Sequence, residues 1–121
     1  NRTAKKAIQL ANDFQALGPI SGSGLEGPFE SPYDLIINGT AASLQGARLN
    51  IADGVLAQDG ACYDMMYAEK PTTFELWGRQ QGAAISVNGL GMLVEQAAES
   101  FRLWHGVLPD TKDVLVRLRS S

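Results

Sequence analysis

The stretch Asn88-Gly89-Leu90-Gly91-Met92-Leu93-Val94-Glu95-Gln96-Ala97-Ala98-Glu99-Ser100-Phe101-Arg102-Leu103-Trp104-His105-Gly106 decides how the chain reads. It opens on a Gly-x-Gly turn and closes on a glycine, the usual stop for a helix. At ~100° per residue, Leu90, Val94, Ala97, Phe101 and Trp104 form one apolar stripe. Glu95, Glu99 and Arg102 fall on the opposite side, and Gln96 sits at the shoulder beside Met92, Leu93 and Ser100. The pattern predicts a long helix whose stripe is core and whose edges, Gly89 and Gln96, are placed to line a site.

Upstream of it, Ala84-Ile85-Ser86-Val87 predicts a short strand feeding that helix, and Thr73–Gln81 a helix capped by Thr72 and ended at Gly82. Ala61-Cys62-Tyr63-Asp64-Met65-Met66-Tyr67 predicts another strand, with Tyr63 and Tyr67 on one face by alternation and Tyr67 last. Asp34-Leu35-Ile36-Ile37-Asn38 is a continuous apolar run followed by Gly39-Thr40, the pattern of a buried parallel strand. Residues 3–17 place Ala7, Leu10, Ala11, Phe14 and Leu17 at helical spacing behind Thr3 as N-cap, and Gly18-Pro19 ends them. Residues 18–32 read as loops around a short strand at most; residues 41–60 are ambiguous, with Val55-Leu56 leaning helical. Beyond Gly106, Pro109-Asp110 begins a further helix and Asp113–Leu118 forms an amphipathic tail.

The order helix, strand, strand, helix, strand, helix, helix is that of a layered α/β domain with a parallel sheet. A helix cap at Thr3 calls for a strand and turn before it, so the expectation is a piece of a longer chain. The 121 residues, 45% hydrophobic and 19% charged, suit one soluble unit with a modest core. A formal net charge of -3 argues against a nucleic-acid or acidic-membrane partner. No apolar run approaches the ~20 residues of a transmembrane helix. Cys62 is the single cysteine and has no partner for an intramolecular disulfide, which suits a reducing compartment; the expected location is the cytoplasm.

In such sheets ligands sit beyond the carboxyl ends of the strands. The segments to read are therefore Asn1-Arg2-Thr3, Asn38-Gly39-Thr40-Ala41, Met65-Met66-Tyr67 and Asn88-Gly89. Asn1-Arg2-Thr3 with Lys5 and Lys6 makes an anion site at a helix start. An arginine with no acid beside it suits a 2′-phosphate rather than a free ribose hydroxyl. Alone, a basic helix start is more often a solvated face, Asn38-Gly39 a turn, Gln96 a boundary residue and Cys62 a small buried hydrophobe. Asn88-Gly89-Leu90-Gly91 lacks the third glycine of a dinucleotide fingerprint. His105 has no acid or nucleophile at recognisable spacing, and no metal-ligand set is apparent.

Taken together, Asn-Arg-Thr, Asp-Leu-Ile-Ile-Asn-Gly-Thr, Tyr-Asp-Met-Met-Tyr, Asn-Gly-Leu-Gly-Met-Leu-Val-Glu-Gln-Ala-Ala and Trp-His-Gly-Val-Leu-Pro resemble the shikimate dehydrogenase family. The order and spacing are similar to its C-terminal, NADP-binding half over essentially the whole chain. The resemblance implies a partial Rossmann-like three-layer α/β domain with a mostly parallel sheet, whose first strand and glycine-rich turn precede Asn1. Residues 1–87 would be the partial NADP-binding domain and residues 88–121 the C-terminal helices, a cleft wall and tail. The N-terminal substrate domain, with the family's catalytic lysine and aspartate, would lie outside this chain, leaving it inactive alone.

The resemblance further implies that Asn1, Arg2, Thr3 and Lys6 grip the adenosine 2′-phosphate, with Arg2 setting the choice of NADP over NAD. Thr40 and Ala41 stand on the ribose side of the cofactor, and Met65 and Gly89 line the nicotinamide pocket. Tyr67 and Gln96 would hydrogen-bond the substrate, shikimate or 3-dehydroshikimate. Three positions depart from the family's habit: Asn88 where Asp is usual, Ala41-Ala42 after Thr40 in place of a serine, and Lys6 where Arg is common. Two alternatives stay open: a quinate/shikimate paralogue using NAD, and a non-catalytic nucleotide-binding or interaction module. Self-association of the piece through its sheet edge is also expected.

Overall fold

The structure is a computed structural model and describes residues 3–29, 32–40 and 50–120. Its order is α1 (Ala4–Phe14), β1 (Tyr33–Asn38), β2 (Leu56–Asp64), α2 (Thr73–Gln80), β3 (Ile85–Val87), α3 (Leu90–His105) and α4 (Lys112–Ser120), with a 3-10 turn (Gln15–Leu17) closing α1. The three strands form one sheet in the order β1-β2-β3, and both pairings are parallel. Parallel neighbours need a crossover; α2 supplies it between β2 and β3, and packs on both. This is the parallel α/β arrangement that the element order predicts, and it is that of the partial Rossmann-like fold the resemblance implies.

The core lies between α2 and the sheet. Leu56, Cys62 and Phe74 are buried together, with Ile36, Ile51, Trp77 and Ala83 against them. The Phe74 and Trp77 rings stack at 5.4 Å. Burial pushes the Cys62 thiol up, so it stays protonated and inert, as a small buried hydrophobe should. α2 begins where the sequence places it: Thr72 accepts the Glu75 N–H at 3.2 Å while Glu75 accepts the Thr72 N–H at 2.9 Å, a complete capping box.

Two expectations are corrected. β2 begins at Leu56 and ends at Asp64, so Val55-Leu56 lead into a strand rather than a helix, and Met65 to Tyr67 lie beyond it. Tyr67 is therefore a loop residue, not the last of a strand. The reason the start is hard to read is local. Between Tyr33↔Leu56 and Leu35↔Ala61 the ladder shifts, with Asp59 at φ 60° inside the strand. Asp59-Gly60 has the composition of a turn but sits in a bulge.

The second correction concerns α3. Its ends are as predicted, Gly106 closing it in the left-handed conformation. Only Val94 and Ala98 are buried, however, while Ala97 and Phe101 are exposed and Trp104 is 78% exposed. Of the stripe, only Val94 is core. α3 is joined at its mouth to the loop after β2, the Gly89 N–H donating to the Met66 carbonyl, and it packs with α4, just ahead of which the Thr111 hydroxyl donates to Glu95 Oε1 at 2.7 Å. On the solvated side Arg102 Nε donates to Glu99 Oε2 at 2.8 Å, which holds the Glu99 carboxyl below its ordinary range. α1 is likewise open, since Ala11 is buried but Leu10, Phe14 and Leu17 are exposed, and β1, expected as a buried strand, is an edge strand that exposes Leu35 and Ile37.

Gly78 fixes how closely α2 approaches the sheet. A Cβ there would lie 2.7 Å from Ser86 Oγ and 2.8 Å from Cys62 Cβ. Gly78→Ala is expected to lower stability by about 1–3 kcal/mol through overpacking, read as a fall in the urea midpoint with unchanged slope.

Candidate functional site

Because all three strands are parallel, Asn38, Asp64 and Val87 end at the same edge of the sheet. At that edge stands Asp64, with no exposed surface at all. Alternation puts it there: Leu56, Gly60, Cys62 and Asp64 are the buried positions of β2, so the last of them carries a carboxylate to the inner face. A buried charge must be surrounded by donors. Asp64 Oδ1 accepts the Asn38 amide at 3.0 Å and the Met66 N–H at 3.1 Å, and Oδ2 accepts the Thr72 hydroxyl at 2.6 Å.

The bonds run outward in both directions. Toward β1, Asn38 Oδ1 accepts the Thr40 N–H at 3.0 Å and the Thr40 hydroxyl at 2.8 Å. Toward β3, Glu75 Oε2 accepts the Asn88 amide at 3.1 Å, and Asn88 Oδ1 accepts the Leu90 N–H at 3.1 Å. Arg79 Nη2 stands 3.7 Å from the other Glu75 oxygen. Two carboxylates collect donors, and two asparagines pass the constraint on to the backbone just past β1 and β3.

The same bonds gather three of the sequence-predicted residues. The Met65 N–H donates to the Asn38 carbonyl at 2.9 Å and the Gly89 N–H to the Met66 carbonyl at 3.0 Å. A Cβ on Gly39 would lie 3.5 Å from Met65 Sδ, and one on Gly89 only 2.3 Å from the Met65 carbonyl oxygen. The glycine at 89 is thus required first by the chain's own close approach. Thr40, Met65 and Gly89 form one edge, with the Met65 side chain exposed. Asn88, where the family's habit is Asp, supplies the acceptor that the start of α3 needs.

The remaining positions lie elsewhere. Thr3 holds the N-cap position of α1 with extended backbone, its carbonyl accepting the Lys6 N–H at 3.0 Å, and Lys6 follows in the first turn. Tyr67 is half-exposed in the loop after β2, and Gln96 is exposed on α3. Asn1, Arg2 and Ala41 lie outside the described residues. A cleft of about 660 Å³ runs from Leu10 and Phe14 of α1 past Leu35 and Ile37 of β1 to Gly39 and Thr40. Among the described residues no helix is long and apolar enough to cross a membrane.

Asp64 and Glu75 are members that sequence reasoning passed over. One signal was available for Asp64: it falls in phase with the apolar face of its strand, where an acid is rarely found unless partnered.

Comparison with known proteins bears on this edge. Residues 89–118 match the family described as the Shikimate 5'-dehydrogenase C-terminal domain. The chain is 50% identical to the shikimate dehydrogenase (NADP(+)) of Thioalkalivibrio sulfidiphilus, over 98% of this chain and 44% of the relative. It is similar to the crystal structure of shikimate 5-dehydrogenase from Thermus thermophilus in complex with NADP(H) and shikimate. The TM-score is 0.76 and the identity 30%, over 99% of this chain and 44% of that one. The ligand-free 5-ketofructose reductase of a Gluconobacter strain is similar too, at TM-score 0.75 and 26% identity, over 99% of this chain and 45% of that one. The chain spans less than half the length of these relatives, and over that span it resembles the C-terminal part of shikimate dehydrogenases.

Asp64→Ala would leave the Asn38 amide, the Met66 N–H and the Thr72 hydroxyl without their acceptor. At about 1–3 kcal/mol for each buried unsatisfied group, the expected loss is at least about 3 kcal/mol. Chemical denaturation measures it, and a loss under about 1 kcal/mol would contradict the role assigned to this carboxylate.

Proposed function

We propose that this chain is the cofactor-binding C-terminal half of an NADP-dependent shikimate dehydrogenase, an oxidoreductase of aromatic amino-acid biosynthesis that interconverts 3-dehydroshikimate and shikimate. The supporting observation is the joining of Thr40, Met65 and Gly89 at one edge by bonds centred on Asp64, in a chain half identical to such an enzyme. In this reading residues 1–87 are the NADP-binding part and residues 88–121 the cleft wall and tail. The proton-transferring lysine and aspartate come from an N-terminal domain outside this chain, and the enzyme works in the cytoplasm.

The residues suit the cofactor chemically. Thr40 spends both its N–H and its hydroxyl proton on Asn38, so only oxygen lone pairs remain, which suits a ribose hydroxyl rather than a phosphate. The exposed Met65 thioether beside Gly39 offers a soft apolar surface to a flat ring. Asn1, Arg2, Thr3 and Lys6 combine amide, guanidinium, hydroxyl and ammonium at a helix start, the donor set for a 2′-phosphate. Ala41 follows Thr40 on the ribose side. NADPH supplies the hydride when bound; this half holds and orients it, and Tyr67 and Gln96 hold the substrate from the exposed side.

A second reading within the same class rests on the likeness to 5-ketofructose reductase: a shared half leaves open which polyhydroxylated ketone is reduced. A panel of ketone substrates, 3-dehydroquinate included, offered to the full-length protein separates the two.

The exposed apolar residues support the two-part reading. β1 is an edge strand with Leu35 and Ile37 exposed, and Phe101, Trp104, Val107 and Leu108 are exposed around the end of α3. Such edges and patches seek partners. The 121-residue chain alone is expected to associate with rising concentration in sedimentation velocity; a clean monomer at high concentration would count against it. In the full-length protein, Arg2→Ala should raise KM for NADPH about tenfold to hundredfold, the loss of one or two charge-assisted bonds. KM for NADH should hardly move. A native preference for NADH would sink the NADP assignment, and no reduction of 3-dehydroshikimate would sink the activity.

A further inference from the structure

We infer that Asn88 is a positioning residue for the cofactor-facing edge, a one-way amide relay between Glu75 and the first turn of α3; this rests on the functional reading above. Its Nδ2 donates to Glu75 Oε2 and its Oδ1 accepts the Leu90 N–H, both at 3.1 Å. Gly89, the residue between them, donates its own N–H to the Met66 carbonyl. The place of Gly89 against Met65 therefore depends on Asn88 being held. Asn38 performs the same relay at β1, donating to Asp64 and accepting from Thr40. Each amide turns a buried carboxylate into a fixed position for the residue that follows a strand.

An amide does both tasks at 88 whatever the pH. A carboxylate there accepts from Leu90 but has no proton to give Glu75, whose side chain is 6% exposed. The groups around Glu75 among the described residues leave little to absorb a second charge. Its own helix supplies the Thr72 N–H on Oε2 and Arg79, which is 54% exposed and 3.7 Å from Oε1. β2 brings a second carboxylate, Asp64, behind the Thr72 hydroxyl. From β3, Ser86 donates its hydroxyl to the Glu75 backbone carbonyl.

In Asn88→Asp two carboxylates share this space. At low pH one keeps a proton and the bridge survives; as pH rises that proton is lost, and like charges push the start of α3 away from α2. The experiment uses the full-length protein and measures NADPH binding by cofactor fluorescence, well below the melting temperature of each variant. Asn88→Asp should bind NADPH about tenfold more weakly at pH ~8 than at pH ~5.5, the effect of about one pKa unit of differential interaction. The native protein should change by less than about twofold across that range. The double variant Glu75→Gln with Asn88→Asp removes one of the two charges and puts a donor on the α2 side of the bond, while leaving the Thr72 N–H that also sits on Oε2 without its acceptor. It should lose the pH dependence and regain part of the affinity lost at pH ~8, which a merely structural defect would not do.

Native-like, pH-independent binding by Asn88→Asp overturns the inference, as does a loss that Glu75→Gln fails to recover. Failure of both variants to fold overturns it as well, whereas folding of the double variant alone supports it. A native protein that binds no NADPH overturns the functional reading itself, and this role with it.

Discussion

The Asp64 carboxylate is the constraint from which the rest follows. It is wholly buried at the end of a strand, and a charge in that position must be met by donors from every side. Those donors are Asn38 from β1, the Met66 backbone just past β2, and Thr72 at the head of α2. One side chain thus sets the relative positions of two strand ends and a helix start. Thr72 is the pivot. Its proton goes to Asp64, which leaves its oxygen to accept from Glu75 and completes the cap of α2. Glu75 then carries the same constraint across to Asn88 and α3. Hydrogen bonds joined in this way polarise one another in a low-dielectric surrounding, so the set acts as a unit.

Much of the architecture was legible in the sequence because the fold's punctuation is local. Thr72 before a helical pattern marks a helix start, Gly106 marks a stop, and the apolar run before Asn38 marks a strand. The candidate edge was legible for a related reason: in a parallel sheet the residues past each strand converge, so Thr40, Met65 and Gly89 come together whatever the loops do. β2 was harder. Its start hides in a bulge where Asp59-Gly60 imitates a turn, and a local reading takes the imitation at face value.

The α3 stripe fails for a different reason. Periodicity reports that a face is apolar; it does not report what covers it. Val94 and Ala98 are buried within this chain, whereas Phe101 and Trp104 are not. The same holds for Leu10 and Phe14 on α1 and for Leu35 and Ile37 on β1. The polar network was illegible as a network because its bonds link residues up to 26 positions apart. Nothing in the spacing of Asn38 and Asp64 announces that they meet.

α3 is tied at its mouth, where the Gly89 N–H donates to the Met66 carbonyl, and is buried at Val94 and Ala98, while Phe101 and Trp104 beyond them are exposed. A rod fixed at one end is a lever. From Leu90 to His105 it extends about 24 Å, so a tilt of about 5° at its base carries the Trp104 end through about 2 Å. A displacement of that size is enough to open or close contact with anything seated on the exposed Phe101–Trp104 surface, while the edge at Thr40 and Met65 hardly moves. The geometry at the base of the lever thereby governs the spacing at its tip.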